Sequence, residues 1–569
     1  MTRRLFGSDA ELTGTELGSY QYGERRSGET HGVVLTRRHV VELILDLAGY
    51  RERKELTKLR LLEPACGKGA FLVPAAERLI HSAIRTHTPP SSLRDSIRAF
   101  DVDAEHVETS RNAVIDVLTN SGVAKGDAAS LAESWIRQAD FLLADIQGKF
   151  DAVVGNPPYV RIEQLAPELQ VEYRAEYRTL YDRADLYVPF IERGLRLLSE
   201  KGRLAFVCAD RWTRNRYGKL LRKLITSEYK VLCYIDGQTA SLFESEVAAY
   251  PSIFCIGRGK TDKVAVAVME SGTASECSAL TTLPEQVRPE ANRSPKVEVY
   301  DHWFTGSEPW ALNSRQHQDA LFDLEKRFEL LSDGADTKVC IGVASGCDRV
   351  FIVDGSTDIE PSRLVPLVMR SDIHAGKVRN AGRFVINTFE DDGKIVDLEV
   401  YPRLKAYLDE HADAIKKRAV AKKFPGTWYR TIDRVYPERA KQSKLLIPDI
   451  AGSCEVTYES GHFHPHHNLY YVLSSSWDLE VLGGLLSSKV ALFFVWSYAV
   501  RMRGGYLRFQ AQYLRRIRAP RQEDLSENLR QHIRAAYRAR NFYELDLLAM
   551  EAYELNSLPE FPFVDTRGK

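Results

Sequence analysis

Asn156-Pro157-Pro158-Tyr159 follows directly on the apolar run Asp151-Ala-Val-Val-Gly155, and these residue types suit chemistry on a planar exocyclic amine. The lone pair of such an amine is delocalised into its ring. The nitrogen is therefore a poor nucleophile until two acceptors hold its hydrogens and favour a more tetrahedral geometry. Asn156 carries a side-chain carbonyl, and Pro157, which has no N–H, presents a backbone carbonyl on a rigid turn. Tyr159 adds a flat face on which an extruded base can stack, worth about 1–3 kcal/mol. That partly offsets the few kcal/mol needed to unstack and unpair the base. The competing reading, a Pro-stiffened turn without chemistry, is weakened by the residues around the tetrad.

Upstream, Leu61-Leu-Glu-Pro-Ala-Cys-Gly-Lys-Gly-Ala70 places Gly67 and Gly69 in a turn between a strand and a helix. A glycine pair alone is weak evidence, because loops use glycine freely. Glu63, with Pro64 and Ala65 behind it, sharpens the reading: a carboxylate at the strand end suits a cationic cofactor, whereas a phosphate-binding loop avoids an acid there. This favours S-adenosylmethionine over a nicotinamide dinucleotide. Asp101 and Val102 close the next strand, where a carboxylate reaches ribose hydroxyls in Rossmann-like folds, and Asp103 is placed to cap the following helix. Asp140 and Phe141 end the third strand, an acid to accept from an adenine amino group beside an aromatic to stack on its ring. Any one of these acids could be a solvated loop carboxylate; their repetition after successive strands argues otherwise.

These motifs need a doubly wound sheet, and the pattern from about residue 32 to 258 supplies one. Seven apolar runs read as strands: 59–63, 97–101, 136–139, 151–154, 203–208, 231–235 and 252–256, with a helix-like stretch over 185–199. The expected organisation is an α/β Rossmann-like catalytic domain over 1–270, a connection of weak periodicity over 271–294, and an α+β domain over 295–569. In the last, 338–343, 350–353 and 469–473 read as strands and 481–497 and 527–540 as helices.

With these parts in this order, the chain resembles the Taq-type, gamma-class adenine-N6 DNA methyltransferases of type II restriction–modification systems, strongly over 30–258 and more loosely beyond. The resemblance implies transfer of a methyl group from S-adenosylmethionine to the N6 amino group of a flipped-out adenine in duplex DNA. It implies catalytic roles for Asn156, Pro157 and Tyr159, and a cofactor site that includes Pro158 and Asn156 besides the loop residues above. A Thr before the glycine loop, here Thr36 in Gly32-Val-Val-Leu-Thr36, serves the methionine end of the cofactor. The family pattern has Pro next, and this sequence has Arg37. A second aromatic sandwiches the base, for which Phe243 is the candidate and Tyr250 the alternative. The stretch 338–351 resembles the start of the family's recognition domain. Double-stranded DNA, a separate restriction endonuclease that shares the same site and against which the methyl mark protects, and a monomeric state are implied. Asn-Pro-Pro-Tyr also occurs in enzymes that methylate RNA guanines or glutamine amides, and an inactive DNA-binding subunit is a further alternative. Those chains are usually shorter and lack a large carboxyl-terminal domain, and a binding module would not need tetrad and cofactor acids together.

Basic and aromatic residues interleave at 416–430, including Lys422, Lys423 and Arg430, and again at Arg501, Arg503, Arg508, Arg515, Arg516 and Arg518. Both clusters are expected on a DNA face, where cations neutralise phosphates and Arg forks read guanine. The formal net charge of zero excludes a uniformly basic coat but not a local face. Eight scattered cysteines support neither a disulfide framework nor zinc. His462, His464, His466 and His467 lack a carboxylate or Cys at ligand spacing, so no metal is expected. Without an apolar run of about eighteen residues or a signal-like start, the expected location is the cytoplasm of a bacterial or archaeal cell, at the nucleoid.

Overall fold

A computed structural model describes residues 35–245, 251–260, 263–286, 295–301, 303–332, 336–379, 382–499 and 505–567. The chain divides into two compact units, Met1–Ala311 and Leu312–Lys569.

The first unit is built on a nine-stranded sheet. Its strands are β1 (Leu61–Glu63), β2 (Ile97–Asp101), β3 (Ile136–Gln138), β4 (Phe150–Gly155), β5 (Leu198–Ala209), β6 (Tyr229–Asp236), β7 (Pro251–Arg258), β8 (Val264–Val268) and β9 (Val297–Tyr300). Their order is β3-β2-β1-β4-β5-β7-β6-β8-β9. From β3 to β5 all neighbours are parallel, while β7 runs antiparallel between β5 and β6. Near-continuous burial along β1, β4 and β7 is the mark of strands covered on both faces. Among the covering helices, α1 (Arg38–Leu47) buries Val40, Val41, Ile44 and Leu47, and α2 (Leu72–Arg85) buries Leu72, Ala75, Ala76 and Leu79. Both rows follow the 3.6-residue period that turns one helical face inward. Helix α3 (Ala104–Asn120) starts at Asp103, whose carboxylate accepts from the Glu105 and His106 N–H groups. That is the capping role its type suggests.

The seven expected strands are present, and two more extend the sheet. Strands β8 and β9 flank the stretch expected to be a connection, so it lies inside the first unit rather than after it. Its described part holds the short helix Ala274–Leu280 and the turn Leu283–Glu285, too brief for a periodic pattern to show. Two further contacts draw the unit's end to Ala311. The guanidinium of buried Arg222 donates to the carbonyls of Trp212, Asn215, Ser307 and Glu308. Trp310 stacks edge-on against Trp212 at 4.9 Å, and its N–H donates to the Thr213 carbonyl.

In the second unit Thr337–Ile341, Leu469–Ser474, Lys444–Pro448 and Thr457–Glu459 form one antiparallel sheet. Lys444 and Glu459 form an ion pair in its interior, both fully covered, with the ammonium also donating to the Ala440 and Phe463 carbonyls. The stretch expected as a strand over 350–353 is instead the helical turn Asp348–Phe351 followed by the strand Ile352–Asp354. The Ser345 hydroxyl donates to Asp348 and accepts from the Cys347 N–H, and this favours the turn over extension. The helix expected over 481–497 is broken into Leu479–Leu486 and Lys489–Tyr498, bent by 59°. Ser488 caps the second piece, and both pieces are buried. Gly483 and Gly484 leave room for Tyr537 and Ile533 of the helix Glu527–Ala539, which a Cβ would meet at 2.7 and 2.5 Å. Among the described residues no single helix is long and apolar enough to cross a membrane.

Because Trp310 ends the first unit by packing, Trp310→Ala is expected to destabilise that unit by about 3–5 kcal/mol. Urea unfolding of wild type and variant checks this; an unchanged midpoint would mean that the sheet closes without Trp310.

Candidate active site

Strand β1 pairs parallel with β4, Leu62 opposite Val153, which brings two loops ninety residues apart to one carboxyl edge. Gly155 takes φ 151°, and a Cβ there would touch Pro64 and Glu63. The tetrad thus leaves its strand in contact with the glycine loop. In that loop Gly67 and Gly69 adopt φ of 52° and 91°, conformations glycine reaches without steric cost. The Gly67 N–H donates to Asp101 Oδ2 at 2.8 Å, while Asp101 Oδ1 accepts from the Asp103 N–H at 2.9 Å. Asp101 therefore organises the loop; His106 Nδ1 lies 3.4 Å from Oδ1, and Oδ2 keeps a second lone pair. Glu63 is 1% exposed, and its Oε2 has no hydrogen-bond partner. Burial, reinforced by the Asp101 charge, pushes its carboxyl well above the carboxylate range. A buried acid in this state fits a cationic ligand group, which would restore the ionised form. The ammonium and sulfonium of S-adenosylmethionine meet that requirement, and Glu63, Gly67 and Asp101 would hold it.

The amino-terminal side closes the site. Asn156 Nδ2 donates to Thr36 Oγ1 at 3.4 Å, which directs the amide nitrogen toward Thr36 and the carbonyl the other way. Thr36 forms an antiparallel bridge with Phe243. Thr36, Asn156 and Phe243, spread over two hundred residues, are thereby joined. Phe243 is 6% exposed and belongs to the core cluster of the unit. Tyr250, the other aromatic considered, lies outside the described residues.

Tyr159 points its hydroxyl inward, buried and without a partner, while the residue as a whole is partly exposed. Its ring meets Tyr187 edge-on, centroids 6.2 Å apart. The Tyr187 hydroxyl lies 2.5 Å from that of Tyr217, and both donate to Asp185 Oδ2, at 2.9 and 3.2 Å. The Leu186 N–H donates to the Val160 carbonyl and the Ile162 N–H to that of Ala184, lashing this network to the residues after the tetrad. Sequence reasoning passed over Asp185 and Tyr187 as the start of a helix. Tyr187 opens the helix α4 (Tyr187–Arg196), and neither residue lies in a motif that would have marked it.

Asp140 is buried, with Oδ2 accepting from the Tyr173 hydroxyl at 2.6 Å and Oδ1 from the Leu142 N–H. Burial raises its carboxyl. Phe141 differs from expectation. It is 1% exposed, with Phe190 at 5.1 Å, Phe100 at 6.0 Å and the Arg193 guanidinium at 5.2 Å. Its faces serve the core because β3 ends at Gln138 and the chain turns Phe141 inward. At the end of β5, Asp210 is buried, with Gln238 Nε2 3.5 Å from its Oδ2 and the charges of Arg214 and Arg211 acting on it. Burial pushes its carboxyl up to about 6.

The chain is 44% identical over 546 residues to the Type II methyltransferase M.BstVI of Geobacillus stearothermophilus, covering 94% of this chain and 97% of that protein. The chain belongs to the Type II methyltransferases of restriction–modification systems. It is likewise 44% identical to M.PaeR7I of Pseudomonas aeruginosa, over 93% of this chain and 92% of that one, and 42% identical to M.XhoI of Xanthomonas vasicola, over 93% and 98%. The Eco57I restriction-modification methylase family matches residues 50–243, the span of the glycine loop and the tetrad. Among solved structures the Type IIL restriction-modification enzyme MmeI in complex with DNA has the same fold, with a TM-score of 0.57 at 14% identity over 92% of this chain and 74% of that one.

In the second unit the two basic clusters part company. Lys422 and Lys423 are exposed at the end of the helix Ala419–Lys423. The Arg430 guanidinium stacks over Phe424 at 4.5 Å, and Lys416 lies over Trp428 at 4.7 Å. Arg501 and Arg503 lie outside the described residues. Arg508, expected to face DNA, is instead held by both oxygens of Asp449, at 3.1 and 2.5 Å, because its short strand pairs with Ile450–Ala451 beside that acid. Arg515 and Arg518 donate to the Val339 and Phe328 carbonyls, and Arg516 to Glu325. The partners are remote in sequence, so the run looked unpaired. The histidines also change: His466 Nε2 pairs with Asp348 Oδ2 at 3.0 Å, and Asp348, His466 and His467 place potential ligand atoms within 4.8 Å of one another. A carboxylate absent at ligand spacing in the sequence is thus present in space, where it ties the turn at Asp348–Phe351 to the histidine loop.

Asp210 gives the methyltransferase a distinctive pH dependence. The folded chain keeps its carboxyl proton up to about pH 6, whereas the unfolded chain releases it near 4. The protonated group's contribution is complete below about pH 4 and is lost as pH rises through 6. Asp210→Asn, neutral throughout, is expected to match wild type in unfolding free energy at pH 4 and to exceed it at pH 8 by about 1–3 kcal/mol. Parallel melting curves displaced equally at both pH values would contradict the assignment.

Proposed function

We propose that this Type II methyltransferase transfers a methyl group to the N6 amino group of an adenine turned out of duplex DNA. One observation carries the reading: the carboxamide of Asn156, its nitrogen bound to Thr36, stands at the same sheet edge as the uncompensated acid Glu63. An acceptor for an amine and a site for a cation are adjacent. S-adenosylmethionine, when bound there, supplies a methyl group on a sulfonium. The Asn156 side-chain carbonyl and the Pro157 backbone carbonyl accept the two amino hydrogens, localising the nitrogen lone pair. Tyr159, its hydroxyl buried against the core, presents its ring to the base, with Phe243 as the second aromatic. Thr36, Pro64, Ala65, Val102, Asp140 and Pro158 complete the cofactor side. The proton that the amine surrenders passes to solvent.

Lys422, Lys423 and Arg430 of the recognition unit neutralise phosphates in this reading. The enzyme acts as a monomer, and the mark protects DNA against a separate endonuclease.

Modification-sensitive sequencing of DNA from cells expressing the chain is expected to find N6-methyladenine in one short sequence, absent with Asn156→Ala. Methylation of cytosine, or of no DNA base, would overturn the adenine assignment. Tyr159→Ala is expected to lower kcat/KM by about tenfold or more, from stacking worth 1–3 kcal/mol, and to change the fluorescence of 2-aminopurine at the target position; the same fluorescence as wild type would remove Tyr159 from the base pocket.

A further inference from the structure

Arg37 joins three pieces of the first unit. Its carbonyl accepts from the Val40 and Val41 N–H groups and so begins α1; its N–H donates to the Leu242 carbonyl at 3.1 Å. Its side-chain Nε donates to the Phe243 carbonyl at 2.9 Å. The Glu244 N–H returns a bond to the Leu35 carbonyl at 2.9 Å. These bonds flank the Thr36–Phe243 bridge and make a short ladder between the segment holding Thr36 and the loop holding Phe243. The same loop is fixed on its other side, where the Ser241 N–H donates to Ser271 and the Met269 N–H to Asp236. His39 of α1 reaches the Gly272 carbonyl at 2.7 Å. Each bond of the ladder except one is backbone to backbone. The Arg37 side chain is the exception and the only part a substitution can remove alone.

We infer that Arg37 is a positioning residue that couples the two halves of the active site: by clamping the Phe243 loop onto the Thr36 segment, it makes cofactor binding and capture of the extruded base mutually reinforcing. The inference rests on the proposed roles of Thr36 and Phe243. Ordering of either segment by its ligand orders the other through the ladder, and linkage then requires each ligand to tighten the other by the same factor. A residue without this N–H and Nε would leave both sites present and uncoupled.

The backbone makes a clean test available. Arg37 has φ −61° and ψ 143°, angles proline adopts without strain, so Arg37→Pro deletes the N–H bond and the side-chain bond together. Arg37→Met keeps the N–H and removes Nε. For each full-length protein, S-adenosylhomocysteine affinity is measured with and without a duplex carrying 2-aminopurine at the target adenine found by sequencing. Wild type is expected to bind at least five times more tightly with DNA present. Arg37→Met is expected to lose most of that factor and Arg37→Pro all of it, with affinity for S-adenosylhomocysteine alone within about twofold of wild type. In turnover, KM for DNA is expected to rise by about tenfold, as for loss of a charged hydrogen bond, with kcat less affected. Absence of coupling in wild type, or wild-type coupling in both variants, overturns the inference. A wild-type enzyme that methylates no adenine overturns the proposed function instead, and the sequencing control tells the two apart.

Discussion

The parallel pairing of β1 with β4 is the constraint on which the site depends. Chain order alone would put Glu63 and Asn156 in separate loops. Because β4 inserts next to β1, with β2 on its other side, the carboxyl ends of three strands converge, and each delivers a polar residue to an edge that the sheet leaves uncovered. Covalent geometry does the rest. Three positive-φ glycines, Gly67, Gly69 and Gly155, and three prolines, Pro64, Pro157 and Pro158, turn the chain sharply at that edge, so that backbone carbonyls and N–H groups, not only side chains, face the cleft.

That edge is electrostatically unfinished. Glu63 is a buried acid with an unpaired oxygen, and Asp101 adds its charge to it; Asp210 is buried too, and its carboxyl stays raised although Arg211 and Arg214 act against the burial. A protein selected for stability alone would replace such groups by apolar ones of similar size. Their retention on the edge that carries the tetrad is the pattern expected where binding supplies the missing partner. The tyrosine network beneath Tyr159 is the opposite case: Asp185, Tyr187 and Tyr217 satisfy one another and make a rigid floor.

Legibility in the sequence followed range. The tetrad, the glycine loop and the Asp103 cap could be read because each is complete within a few residues. Strands β1 to β7 could be read because runs buried on both faces stand out. Strands β8 and β9 are short, so their membership in the sheet could be seen only once β6 offered an edge to β8 and β8 one to β9. The Arg508 cluster misled for a related reason: Asp449 is 59 residues away, Glu325 is 191 from Arg516, and a charge run shows its own members but not its partners. Arg37 is the instructive residue. In sequence it is only a departure from the family pattern, whereas in the fold its N–H and guanidinium share with the Glu244 N–H the bonds that attach the Thr36 segment to the Phe243 loop.

The bent apolar pair Leu479–Leu486 and Lys489–Tyr498 bears on how the protein is made. These are the most hydrophobic segments of the second unit, and the helix that covers them, Glu527–Ala539, comes about forty residues later. At ribosomal rates of about 5–20 residues per second, the pair is synthesised seconds before its cover exists. Gly483 and Gly484 are shaped for Tyr537 and Ile533 and offer no earlier substitute. The nascent chain therefore passes through an interval in which a bent apolar helix pair, long and apolar enough to be taken for a membrane segment, has not yet met the helix that packs on its glycines.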